Sequence, residues 1–203
     1  MKLLTKTANH LALARHLVGK YSRPNKFIVW YCDKRKLRGA WLTAPWCAMY
    51  QSFVAHEAGV GEEVGEFASC PAWVSWFKKQ NRWSKNPAVG AMVFYDWDHD
   101  GEADHVGLVS AIGADTIKSV EGNTTVSGTP NWVHEQTRKK STVLGYGYPK
   151  YLTVDKTYFV KKGDTLSSIA ALYGTTWQKV WAENKATIVK PSLITPGQKL
   201  VIP

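Results

Sequence analysis

The segment HVGLVSAIGADTIKSVEGN, His105 to Asn123, most narrows what this chain can become. An apolar run from Val106 to Ile112 meets a Gly-Ala-Asp turn, and a second strand-forming run follows from Thr116 to Glu121. That pattern is an antiparallel hairpin, so the chain must build sheet around it. On paired strands, residues directly opposite share a constant sum of residue numbers and point to the same face. A three-residue loop at 112–114 sets His105 opposite Glu121, and a five-residue loop sets it opposite Asn123. Either odd length gathers the three polar side chains on one face, whereas an even length puts Glu121 on the other.

Upstream, TAPWCAMYQSFVAHEAG (Thr43 to Gly59) reads as a helix. Met49, Phe53, Val54 and Ala58 form its apolar stripe, Pro45 marks its start and Gly59 its stop. Cys47 then falls in the first turn, where unpaired backbone N–H groups and the helix dipole favour a thiolate. The bland alternative is a small core residue covered by Trp46. His105 is the base candidate, while His10, His16, His56, His99 and His134 sit in polar or helical contexts expected at the surface. Cys47, His105 and either Glu121 or Asn123 thus form a nucleophile, base and orienting group, with the Cys47 N–H as an oxyanion donor. Three cysteines make no C-x-x-C pair and leave an odd count, so Cys32 and Cys70 are expected to be buried and inert.

Between helix and hairpin, DWDHDGEAD (Asp96 to Asp104) alternates carboxylates ahead of Gly101. Asp96, Asp98 and Asp100 match the start of a calcium loop, with Glu102 and Asp104 as further oxygen donors. Gly107 stands where the closing glutamate belongs, and the alternative is a solvated acidic loop. Such a calcium would brace His105, since none is required for the chemistry. After GYGYPKYLTVDKT the composition changes. A strand at Tyr158 to Val160, a turn at Gly163, a helix opened by Asp164 or Thr165, a second helix over Thr175 to Asn184 and a strand over Lys199 to Ile202 make a small βααβ unit. Trp73, Trp76, Trp177 and Trp181 lie at helical spacing and are expected in cores.

The formal net charge is +10, and both parts of the chain share it. An anionic partner follows, whether nucleic acid, membrane surface or acidic wall polymer. No long run of like charge and no aromatic RNA-binding motif favours nucleic acid. No stretch of about 18 apolar residues suggests an integral membrane protein. Basic and polar residues interrupt every apolar stretch of the N-terminus, so synthesis in the cytoplasm without a secretory signal is expected.

APWCAMYQSFV, the block from Pro87 to Asp96, DHVGLV and SVEGNT resemble, in order, the sequence blocks of CHAP domains, papain-like cysteine amidases and endopeptidases of peptidoglycan. The resemblance implies an α+β fold, helices packed on an antiparallel sheet, over residues 1–150. It makes Cys47 the nucleophile, His105 the base, and Glu121 with Asn123 the orienting pair. Family members often carry calcium ahead of the cysteine, but DKRKLRGAWLTAP is basic there. After a linker at 151–157, residues 158–203 resemble a LysM module through VKKGDTLSSIA, YGT and LITPGQKLVIP. That likeness implies weak binding of N-acetylglucosamine-containing glycan between the loops Gly163, Asp164, Thr165, Leu166 and Pro191, Leu193, Ile194. Together these imply a monomeric peptidoglycan hydrolase acting on stem peptides, an N-acetylmuramoyl-L-alanine amidase or peptide endopeptidase. The arrangement resembles a bacteriophage endolysin, made in the host cytoplasm and reaching the wall once the membrane is permeabilised. The alternatives are a bacterial wall-remodelling enzyme and a catalytically silent glycan-binding protein.

Overall fold

The structure, a computed structural model, describes residues 2–152, 156–173 and 175–202. In chain order the elements are α1 (Lys2–His16), β1 (Gly19–Lys20), α2 (Lys26–Arg35), a 3-10 turn (Gly39–Thr43), α3 (Cys47–Glu57), α4 (Gly61–Val64) and α5 (Cys70–Lys79). Strands β2 (Trp83–Ser84), β3 (Met92–Tyr95), β4 (His105–Ile112), β5 (Thr116–Val126), β6 (Thr129–Lys139) and β7 (Val143–Gly147) follow. The last elements are β8 (Lys156–Phe159), α6 (Leu166–Leu172), α7 (Trp177–Glu183) and β9 (Lys199–Ile202). Two compact units result, Met1–Thr153 and Val154–Pro203. No helix of the described residues is long and apolar enough to cross a membrane.

The first unit is an α+β fold. Its seven-stranded sheet has the order β1-β6-β5-β4-β3-β7-β2, antiparallel throughout. Helices α1, α2, α3 and α5 cover it, and the aromatic side chains Phe27, Trp46, Tyr50, Trp73, Phe77 and Phe94 are fully buried. Each contributes about 1.5–3 kcal/mol relative to exposure, which is the term that presses helices onto the sheet. One close approach fixes α3 on β5. A Cβ on Gly122 would lie 2.5 Å from the Tyr50 Cβ, so only glycine lets the helix settle there. The Gln51 Nε2 donates to the Val120 carbonyl at 2.7 Å and ties the same helix to the same strand.

His10 departs from its expected place at the surface. It is fully buried on α1, its Nδ1 2.6 Å from the Tyr151 hydroxyl, and burial pushes its pKa down to about 3. Tyr151 also donates to the Gly90 carbonyl, so the first unit reaches past residue 150. The expected linker is therefore shorter than 151–157. Its residues 153–155 lie outside the described residues, and β8 already begins at Lys156.

The second unit is the expected βααβ arrangement, with β8 and β9 antiparallel. Thr165, not Asp164, caps α6, and Ser168 returns the bond to complete a capping box. Thr176 caps α7, and buried Asn184 donates to the carbonyls of Val180 and Val201 while accepting from the Val201 N–H. The core is Val160, Leu166, Ile169, Ala170, Val180, Ile188, Leu200 and Ile202. Trp73 is buried in the first unit as expected and Trp181 packs against this core, but Trp177 is exposed because it occupies the first, outward turn of α7.

Candidate active site

Cys47 is the first residue of α3, so its own N–H has no intrahelical acceptor. Trp46, fully buried and stacked on Phe27 with ring centroids 5.6 Å apart, holds the chain entering the helix. The Cys47 thiol is itself nearly buried, at 5% exposure. Cys47 belongs to the buried core beside Trp46, and its thiol interacts there with Cys70 and His105.

The hairpin reaches its register by a route the loop-length choice alone did not contain. Ile112 pairs with Ile117, so the tip has the even parity that would turn Glu121 away. Ser110 is then an extra residue on β4, because Val109 pairs with Ser119 and Ala111 with Lys118. This bulge shifts the register by one and restores the favourable parity. Gly107 now faces Glu121, and His105 lies two residues along on the same face. The missing side chain at Gly107 gives the carboxylate its room. A Cβ there would meet the Ser119 Cβ at 2.9 Å and the Glu121 Cγ at 3.0 Å.

The His105 Nε2 lies 3.0 Å from Glu121 Oε2, which leaves Nδ1 as the ring nitrogen available to Cys47. Glu121 is fully buried, with both carboxylate oxygens hydrogen-bonded. Arg138 from β6 grips it with two bonds, NH2 to Oε2 at 2.7 Å and Nε to Oε1 at 3.2 Å, and Ser119 donates to Oε1 at 2.7 Å. The Tyr95 hydroxyl sits 2.8 Å from Ser119 Oγ, and Trp97 lies 5.1 Å from the Arg138 guanidinium. Such a bidentate, charge-assisted pair sets both position and orientation of the carboxylate.

Electrostatics follow from these contacts. Burial alone raises a carboxyl pKa, but bonds to His105 and Arg138 overcome it and hold Glu121 down to about 2. Burial likewise disfavours imidazolium, yet the bonds to Cys47 and Glu121 prevail and push His105 up to about 10. Hydrogen bonding from Cys70 is the largest influence on Cys47; against burial, and with His105 and the Ala48 N–H, it draws the thiol well below its ordinary value. These contacts favour the thiolate of Cys47 and the imidazolium of His105, with the buried Glu121 carboxylate behind them.

Three features were not read from the sequence or were read otherwise. Cys70, expected to be inert, is the first residue of α5, and its Sγ is 3.8 Å from Cys47 Sγ. Two helix starts bring the thiols together, and no sequence spacing announces that. Arg138 lies on a strand without a strong alternating pattern; it shares a sheet face with Glu121 because Ile117 pairs with Arg138 and Glu121 with His134. Asn123 does not bond His105. A positive φ of 56° turns it toward Arg23, whose NH2 donates to its Oδ1 at 2.8 Å, while Arg23 also reaches the Thr43 carbonyl and Asn131. Asn123 instead lines an open cavity of about 220 Å³ beside His105, together with Trp97, Thr124, Thr125 and Arg138.

The acidic loop brings together Asp96, Asp98 and Asp104, each offering an oxygen within 4.8 Å of the others. Asp100 and Glu102 stand outside that group. The Asp100 carboxylate instead accepts from the Glu102 N–H at 2.8 Å, because the turn at Gly101 folds the chain back on itself. In the second unit, Gly163 and Leu193 are exposed and Pro191 is half-buried, but Leu166 is core and Ile194 packs against it. Asp164 accepts from the Tyr158 hydroxyl and the Lys161 N–H, both at 2.7 Å, and so braces its own loop.

Sequence comparison places both units in known families. Residues 39–123 match the family model of the CHAP domain. Residues 158–203 match that of the LysM domain, so the chain carries a CHAP domain followed by a LysM domain. The chain is 48% identical over 60 residues to the uncharacterized protein YqbP of Bacillus subtilis, covering 24% of this chain and 27% of that one. It is 54% identical over 46 residues to the N-acetylmuramoyl-L-alanine amidase sle1 of Staphylococcus saprophyticus, covering 23% of this chain and 13% of the relative. The chain thus spans only about a quarter or less of the length of these curated relatives. Among solved structures, Ly7917 is similar over 76% of this chain and 65% of its own, at 19% identity and a TM-score of 0.40. A MoCVNH3 variant in complex with (N-GlcNAc)4 is similar over 45% of this chain and 57% of its own, at 16% identity and a TM-score of 0.22.

Proposed function

We propose that the chain is a peptidoglycan hydrolase whose CHAP domain cleaves an amide bond through a thioester on Cys47 and whose LysM domain holds it on the glycan. The observation that carries this reading is the line of groups Cys47, His105, Glu121 and Arg138 on the first turn of α3 and the facing strands. The thiolate attacks the amide carbon, and the Cys47 N–H receives the developing oxyanion. His105 gives its proton to the leaving amine, then takes one from the water that releases the acyl group. Glu121 keeps the imidazole oriented and favours its charged form. The name of the staphylococcal relative favours the N-acetylmuramoyl-L-alanine bond, with a stem-peptide bond as the other candidate. Mass spectrometry of fragments released from purified peptidoglycan tests this directly. New L-alanine amino ends without cut stem peptides identify an amidase, paired peptide ends an endopeptidase, and no fragments from walls of varied chemistry would sink the reading.

The LysM domain supplies local concentration, since a weak second contact makes rebinding intramolecular. Deleting 156–203 is expected to weaken sedimentation with insoluble walls about tenfold or more, with cleavage of soluble fragments nearly unchanged. Equal wall affinity of the two forms would refute the tether. We place the action at the wall once the membrane is permeabilised, as in an endolysin. Turbidity loss that needs a permeabilising agent only when the protein is inside the cell is the corresponding result.

The same proposal gives Asp96, Asp98 and Asp104 a structural calcium, hard oxygen donors suiting a hard cation. Three carboxylates converge there and the loop leads straight into His105, so the ion would stiffen the base's strand. Titration calorimetry of chelator-treated protein is expected to show binding that Asp98→Asn weakens at least about tenfold. No heat at millimolar calcium ends the assignment.

A further inference from the structure

Beside the proposed nucleophile stands a second thiol, to which the proposed hydrolysis assigns no proton or acyl transfer. Cys70 Sγ stands 3.8 Å from Cys47 Sγ, each on the first residue of a helix, α5 and α3. A disulfide needs sulfurs about 2.05 Å apart, so the two sulfurs together must close less than about 2 Å from their 3.8 Å separation. The two helix starts are fixed independently. Ser69 caps α5 through the Ala72 N–H and Pro71 enters its first turn, while buried Trp46 fixes the start of α3. Cys32, the third cysteine, is buried on α2 in no such contact and serves as an internal control.

We infer that Cys47 and Cys70 form an oxidative modification site, at which a small hydroperoxide converts the nucleophile into a reversible Cys47–Cys70 disulfide. The inference rests on the reading of Cys47 as a reactive thiolate and adds to it a fate that hydrolysis does not require. In the first step the Cys47 sulfur attacks one peroxide oxygen, the O–O bond breaks, and the departing hydroxide takes a proton to leave as water. Cys47 is then a sulfenic acid. In the second step the Cys70 sulfur attacks Cys47, the S–O bond breaks, and the Cys70 proton leaves with the hydroxyl as a second water. Two thiols have lost two electrons and two protons, and one hydrogen peroxide has become two waters. At 5% exposure each, the thiols admit a molecule of peroxide size more readily than a bulky oxidant. The disulfide silences hydrolysis because the nucleophile is tied up, and a thiol reductant frees it. Without Cys70 the sulfenic acid has no neighbouring thiol and proceeds to the irreversible sulfinic acid.

The full chain carries its own readout, because Gly39 to Lys78 contains no Lys or Arg before Lys78 and holds both cysteines on one tryptic peptide. After brief treatment with hydrogen peroxide, alkylation and digestion, that peptide is expected about 2 Da lighter and unalkylated, with Cys32 fully alkylated. Reductant should restore most of the starting hydrolysis of wild type and less than about a tenth of that of Cys70→Ser. Peroxide-treated wild type carrying Cys47 sulfinic acid beside an alkylated Cys70 would overturn the inference. So would equal recovery of the two proteins. The mass readout does not depend on hydrolysis, so a chain that cleaves nothing yet forms the disulfide loses the functional reading and keeps this one. A chain that cleaves walls but forms no disulfide does the reverse.

Discussion

Cys47→Ala is expected to abolish fragment release from purified peptidoglycan, lowering the rate by about 10⁴-fold or more. The size follows from the mechanism. A covalent step divides one difficult displacement into two easier ones, and neither begins without the sulfur. What remains in the variant is the oxyanion donor and the bound substrate, which in triad enzymes leave a residual acceleration of about 10³–10⁴ over water. Stability should change little by comparison, since the alanine replaces a small side chain at the rim of a core carried by Trp46 and Tyr50. Wall sedimentation through the LysM domain should persist. Hydrolysis continuing at the wild-type rate would remove Cys47 from the mechanism, and loss of both hydrolysis and the folded circular dichroism spectrum would call for Cys47→Ser in its place.

Glu121→Gln is expected to cost about 10²–10⁴ in rate and to reshape the pH profile. In the wild type, hydrolysis is expected to fall at low pH as the thiolate takes up a proton, and at high pH as the His105 imidazolium, held up to about 10, loses its own. Glutamine removes a negative charge and a bond that favour imidazolium. The alkaline limb must therefore move to lower pH. The substitution also leaves the Arg138 guanidinium beside a buried neutral amide, and breaking one side of a buried pair costs about 3–5 kcal/mol. That contribution has its own pH signature. With Glu121 held down to about 2 in the fold, its stabilisation is complete above the ordinary carboxyl range and is lost as pH falls toward 2. An alkaline limb that stays in place in Glu121→Gln, measured on soluble fragments, would show that the carboxylate does not set the imidazole.

The contrast between Cys47 and Cys70 explains how much of the site could be read from the chain. Cys47 announces itself because Pro45, the Met49 and Phe53 stripe and Gly59 mark a helix that starts at the thiol. Those signals act over a few residues, as helix starts and stops do. Cys70 also begins a helix, after Ser69 and before Pro71, but nothing local says that this second helix start meets the first. Their meeting depends on how α3 and α5 each pack on the sheet. Arg138 is the same case: its grip on Glu121 depends on strand pairing across β5 and β6, seventeen residues apart in sequence.

The sequence by itself determined the local elements and their chemistry: a thiol at a helix start, an imidazole at a strand start, a hairpin with a carboxylate on its second strand, and a βααβ unit at the end. These follow from periodicity, caps and turn residues, which act between near neighbours. Only the tertiary structure decided the register and the company. The bulge at Ser110 turned an even hairpin tip into the parity that puts Glu121 beside His105, and the glycines at 107 and 122 set how closely the carboxylate and α3 could approach. The turn at Gly101 chose Asp96, Asp98 and Asp104 over Asp100 and Glu102, and Asn123 turned away to Arg23. A one-residue shift reverses every side chain of a strand, and its cost or benefit is paid in contacts with distant elements, so no short-range pattern can encode it.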